Sequence, residues 1–192
     1  MIFPIGDEQV QGGYKPIFSY SFIAVNVIFF AFQMMDPGRL ICDYAAIPAE
    51  IGAGRDYHTL FTSMFMHGDF MHIAFNMLFL WVFADNIEAT VGNIKFVLFY
   101  LMGGLVAHAG HFFLGDGNVY ENCCIPCGAI PCLEGMYHCA GTTPTVGASG
   151  AIAAVLGAYL VMYPKSKVKM LVFFRVMHIP AMFFLLFWIG QQ

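Results

Sequence analysis

Ser149 lies in the tetrapeptide Gly147-Ala148-Ser149-Gly150, where an apolar run from Val146 to Tyr163 begins. A second polar pair, His72 and Asn76, opens a different apolar run with an i, i+4 spacing that puts both side chains on one helix face. These are the residue types of acyl-transfer chemistry: a hydroxyl to attack a carbonyl, and an imidazole and an amide to donate to the oxygen of the tetrahedral adduct. Taken alone, the serine tetrapeptide reads equally well as helix packing, because small residues let membrane helices approach closely. With a second polar pair at the mouth of another apolar run, a hydrolytic site inside a membrane becomes the better reading.

The composition identifies the solvent. The 192 residues are 59% hydrophobic, 17% aromatic and only 10% charged, with a mean hydropathy of +0.71, too apolar for a soluble domain of this length. The net charge of −4 comes with no basic patch that could track nucleic acid, so nucleic-acid binding is excluded as a function class. A bilayer core takes roughly 20 apolar residues per helix, and five stretches approach that length: about 17–35, 70–89, 96–114, 146–163 and 170–189. They predict an all-α, polytopic membrane helical bundle forming one domain over residues 1–192, with a Cys-rich loop at 115–145. Arg175, inside the fifth stretch, is expected to snorkel to the interface, and Asp85 and Glu88 to cap the inner end of the second. The connection from Asp36 to Ser63 has apolar stretches of its own and is expected to lie partly in the interface.

Orientation follows from the basic residues. With the N-terminus cytoplasmic, Lys15, Lys95, Lys165, Lys167, Lys169 and Arg175 fall inside, leaving Arg39 and Arg55 outside. The second and fourth stretches then both enter from outside, which brings His72, Asn76 and Ser149 to one depth near the outer edge of the hydrocarbon. The same orientation places all six cysteines in outer connections, where an oxidising compartment favours disulfides. A weaker alternative is a zinc site built from Cys124, Cys127, Cys132 and Cys139, since Cys124-x-x-Cys127 has a ligand-like spacing.

In this order and on successive apolar segments, the motifs resemble those of the rhomboid intramembrane serine proteases. The residues that carry the resemblance are His67-Gly68-Asp69-Phe70-Met71-His72-Ile73-Ala74-Phe75-Asn76, Gly147-Ala148-Ser149-Gly150, and Pro180-Ala181 with Trp188 and Gln191. The resemblance implies Ser149 as the nucleophile, His72 and Asn76 as oxyanion donors, Gly147 and Gly150 as supporting glycines, and no metal or cofactor. It implies transmembrane protein substrates cut near the outer membrane face, by a multi-pass protein of the plasma or inner membrane that is surrounded by lipid bilayer.

The family places its general base, a histidine, on a sixth membrane span, and these 192 residues hold five expected spans of six. The sequence is therefore read as C-terminally truncated, with the base absent from it; a catalytically inactive rhomboid-like protein that binds transmembrane helices is the alternative. Among the histidines present, His178 is placed too far in depth from Ser149. His108 and His111, spaced i, i+3 on the third stretch, read first as interhelical hydrogen-bonding groups, and His67 as a local packing residue.

Overall fold

The structure, a computed structural model, describes residues 2–10, 12–114, 123–124, 127, 137–139 and 141–190. In chain order its elements are β1 (Ile2–Gly6), α1 (Ile17–Gln33), α2 (Pro37–Tyr44), α3 (Pro48–Gly52), α4 (Thr59–Thr62), a 3-10 turn at Ser63–Phe65, α5 (Phe70–Val91) and α6 (Asn93–Leu114). The two-residue strands β2 (Cys123–Cys124) and β3 (Tyr137–His138) follow, then α7 (Ser149–Met162), β4 (Lys167–Val172), β5 (Arg175–Pro180) and α8 (Ala181–Gly190). The chain is mostly helical. Two helices, Phe70–Val91 and Asn93–Phe113, are long and apolar enough to cross a membrane, and α1 and α7 are shorter apolar helices. Along α6, Leu98, Met102 and Val106 repeat every four residues and stay exposed, an apolar stripe along one helix face.

The fifth apolar stretch is not one helix, which corrects the expected span at 170–189. Residues 167–180 form the hairpin β4–β5, joined through Phe173 and Phe174, and the helix begins only at Ala181. The cause is a period-2 pattern that averaged hydropathy conceals: Val168 and Met170 are fully buried while Lys167 and Lys169 point out. Arg175 consequently sits in a strand, exposed and paired in register with Val172, rather than snorkelling from a helix. His178 lies on the same strand and is exposed.

By internal contacts the chain divides into two units, residues 1–24, 74–103 and 152–192, and residues 25–73 and 104–151. In the first unit, β1 pairs antiparallel with β4, giving a three-stranded sheet in the order β1-β4-β5. Phe83 stacks on Phe184 and meets the edge of Tyr159, with ring centroids 6.1 and 4.9 Å away.

The buried acids of this unit are paired. Glu88 is fully buried; its carboxylate accepts the backbone N–H groups of Phe18 and Ser19, at 2.9 and 2.7 Å, and the Ser19 hydroxyl at 2.6 Å. These donors belong to the first turn of α1, which has no intrahelical acceptors for them. Glu88 therefore caps α1 from a distance, and the expectation that it caps the end of its own helix is corrected. Asp7 accepts from Tyr159, from the Asn86 amide at 2.6 Å and from Gln9 at 3.1 Å.

In the second unit, Asp36 caps α2 by accepting from the Arg39 N–H at 3.3 Å, ahead of Pro37 in the first turn. The connection between α1 and α5 is thus folded into short helices rather than left as open loop. A disulfide joins Cys42 of α2 to Cys127.

Burial, with the neighbouring Asp85 adding to it, pushes the Asp7 carboxyl up from 3.8 to about 6. The folded state therefore holds this proton more tightly than the unfolded chain does. The stability it lends is fully present below the unfolded value of 3.8 and is lost as pH rises through about 6. Thermal melts of the detergent-solubilised protein should show a larger fall in Tm from pH 4 to pH 7 for the natural chain than for Asp7→Asn. An equal fall in both would remove Asp7 as the titrating group.

Candidate active site

Ser149 is the first residue of α7 and is exposed. Its hydroxyl makes no hydrogen bond to any described residue. Gly147, two residues earlier, has φ +116°, a backbone conformation that only glycine adopts without strain, and it lets the chain turn sharply into the helix. A first-turn backbone N–H has no intrahelical acceptor, so the N–H of Ser149 is available to an oxyanion. Gly150 has a different reason to be glycine: a Cβ built there would stand 2.4 Å from the Cβ of Ala107 on α6. The two helices touch backbone to methyl at that point, next to the serine.

The segment leading to Ser149 is tied down by backbone pairing. The Thr145 N–H donates to Ala46 at 2.8 Å and the Ala46 N–H returns a bond to Thr145 at 3.1 Å. The Ala49 N–H donates to the Gly141 carbonyl at 2.8 Å, and the Gly147 N–H to the Ser63 carbonyl at 2.8 Å. The connection ahead of α5 therefore acts as a template for the turn that leads into Ser149.

His72 and Asn76 lie in the first two turns of α5. Asp69 precedes that helix and its carboxylate accepts the His72 N–H at 2.8 Å, an N-cap that squares the first turn. The Gly68 N–H points at His72 Nδ1 from 3.5 Å, a long contact. Behind His72 the His67 ring stands edge-on, with centroids 5.1 Å apart. His67 is fully buried; burial, and secondarily the His72 ring, pushes its imidazole down to about 4. Its backbone is held at both ends by Gln33, the last residue of α1, whose Oε1 accepts the His67 N–H at 3.0 Å while its Nε2 donates to the His67 carbonyl. Asn76 is buried, 8% exposed, and no described residue accepts from its Nδ2.

Ser149, Gly147, Gly150 and His72 fall within one unit. Asn76 lies one helical turn beyond His72 on α5. Gln33 and Ser63 were given no site role by the sequence, and Asp69 entered only as part of the resemblance motif. Asp69 carried a readable signal, an acid immediately before an apolar run; Gln33 and Ser63 act through contacts distant in sequence that no local pattern reveals. His108, placed by sequence as a hydrogen-bonding group, does bond across elements: its Nε2 lies 3.0 Å from the Ser63 hydroxyl.

The cysteines correct the zinc alternative. Cys127 is bonded to Cys42 and Cys139 is also in a disulfide, so two of the four proposed ligands cannot supply thiolates. Cys132 lies outside the described residues, as does Gln191 of the resemblance motif. Among the described residues, no group of three or more His, Cys, Asp or Glu could hold a metal ion.

With this geometry in view, the rhomboid domain model matches residues 54–191. The chain belongs to the rhomboid family, which is integral to membranes. It is 27% identical over 150 residues to the rhomboid protease GluP of Bacillus subtilis, covering 76% of this chain and 24% of that one. It is 32% identical over 136 residues to the mitochondrial RHOMBOID-like protein 12 of Arabidopsis thaliana, covering 70% of this chain and 37% of that one. It is 27% identical over 159 residues to the mitochondrial rhomboid protein 1 of Saccharomyces cerevisiae, covering 80% and 39%. The chain thus spans about a quarter to two fifths of the length of these relatives.

The close approach at Gly150 gives a direct test. Gly150→Ala should cost about 1–3 kcal/mol by overpacking, read as a lowered Tm. Adding Ala107→Gly should recover most of the loss, and a double variant no better than the single one would break the assignment of that contact.

Proposed function

We propose that this chain carries the nucleophile and the oxyanion-binding groups of an intramembrane serine endopeptidase that cuts transmembrane protein substrates near the outer membrane face. The observation that carries the reading is Ser149: a free, exposed hydroxyl at a helix start, behind a turn that only glycine can make.

In the proposed mechanism the Ser149 Oγ attacks the scissile carbonyl. Negative charge then develops on the carbonyl oxygen, where His72 Nε2, Asn76 Nδ2 and the Ser149 N–H are its donors. The unpaired Asn76 amide supports this role, because a buried donor without an acceptor is held ready for charge that appears only in the transition state. Gly147 and Gly150 support the nucleophile through the turn and the close helix contact described above. Among the described residues no histidine hydrogen-bonds Ser149, and we assign the base to none of them; in the family's arrangement it comes from a sixth span. The proposal requires no metal and no cofactor.

For topology we propose a single multi-pass membrane domain in the plasma or inner membrane, with the N-terminus cytoplasmic, as the lysine distribution implies. The crossings are α1, α5, α6, α7 and a fifth segment that contains α8.

Cleavage of a transmembrane reporter by the full-length protein, together with fluorophosphonate labelling, checks the assignment. Ser149→Ala should abolish both, while His72→Ala and Asn76→Ala should each lower kcat/KM by about 10²- to 10³-fold. Cleavage that persists in Ser149→Ala would overturn the nucleophile. A protein that never labels or cleaves, yet retains transmembrane helices, would instead be the inactive helix-binding relative.

A further inference from the structure

We propose that His108 and Ser63 form a positioning pair that sets the entry turn of the nucleophile. The role lies outside the nucleophile and oxyanion groups and rests on the reading of Ser149 as the nucleophile.

One turn of α6, residues 104–108, reaches both sides of Ser149. On the C-terminal side the contact is direct: Ala107 fills the space a Gly150 side chain would need, leaving 2.4 Å to a built Cβ. On the N-terminal side it runs through one intermediary. The His108 Nε2 shares a 3.0 Å hydrogen bond with the Ser63 hydroxyl, and the Ser63 carbonyl accepts the Gly147 N–H at 2.8 Å. Met64, next in sequence to Ser63, lies against the same turn of α6, where a Cβ on Gly104 would come within 2.2 Å of its Cε. Ser63 and Met64 are both essentially solvent-free, at 0 and 1% exposure. The 3-10 turn is therefore fixed to α6 by one packed side chain and one polar bond, and it passes that position to Gly147.

The polar bond matters because of where it lies. His108 borders a cavity of about 500 Å³ whose other walls are mostly apolar, among them Leu105, Ala109 and Phe112. The Ser63 hydroxyl is solvent-free, so losing its partner would strand it. The bond thus holds Ser63 to one rotamer and its carbonyl to one direction. It also occupies the His108 Nε2, which makes this histidine a poor proton acceptor for Ser149 and a good anchor.

The test uses His108→Leu and Ser63→Ala against His108→Gln, which restores a hydrogen-bonding group near the Nε2 position. His108→Leu and Ser63→Ala should each lower kcat on a transmembrane reporter by about 10- to 10²-fold, since a displacement of about 1 Å costs that much, with KM little changed. His108→Gln should recover most of the loss, and the double variant should fall no further than either single one, because the two act through one bond. Independently of catalysis, deuterium exchange in the segment 145–150 should accelerate in His108→Leu and Ser63→Ala, including in a Ser149→Ala background. Unchanged exchange there, or variants that lower Tm while kcat stays intact, would overturn the pair. A wild-type protein without peptidase activity would sink the proposed function and leave the exchange result to decide the positioning role by itself.

Discussion

The segment that delivers Ser149 has no helix or strand of its own from residue 141 to 148 beyond a single bridge. At the expected depth its peptide groups have little water to bind, so each must find a partner in the protein, and an unpaired one costs about 1–3 kcal/mol. Those partners are Ala46, Ala49 and Ser63, all in the connection between α1 and α5. That connection is accordingly built of short helices, the first of them capped by Asp36, and tied through Cys42 to Cys127. Its sequence composition reads as interfacial; its backbone serves as an edge against which the segment leading to Ser149 is aligned.

The same pairing constraint distinguishes Glu88, Asp7 and Asn86 from Asn76, which belongs to the same unit. Glu88, Asp7 and Asn86 are buried but fully engaged, and they hold helix starts and the N-terminal segment in place. Asn76 is buried to a similar degree with its amide donor unpaired. Both ring nitrogens of His67 are likewise buried with no partner among the described residues, so the open Asn76 amide is compatible with a ligand acceptor but is not set apart by being unpaired.

Helical character and the polar motifs were legible in the sequence because both are local: apolar runs set by bilayer thickness, and an i, i+4 pair on one face. The helix starts were nearly legible too, with α7 opening at Ser149 and α5 at Phe70. The fifth run misled because hydropathy sums side chains without their order, and Lys167-Val168-Lys169-Met170 alternates as a strand does. Its partner β1 lies at the opposite end of the chain, so nothing nearby in sequence announces the sheet. Glu88 was misread for the same kind of reason: its acceptors serve α1, some seventy positions away. The clamp of Gln33 on His67 and the bond from His108 to Ser63 are likewise side-chain contacts between distant segments.

The protonation pattern around α5 bears on how an oxyanion would be held. The His72 ring is braced edge-on by a second imidazole, His67, whose proton affinity burial lowers. Hydrogen-bond donors stabilise an oxyanion only when they are aimed at it, so their effect depends on geometry. This accounts for how much of the surrounding structure is devoted to angle: Asp69 squares the first turn, Gln33 fixes the backbone behind it, and Gly147 and Gly150 set the approach of the serine from the other helix.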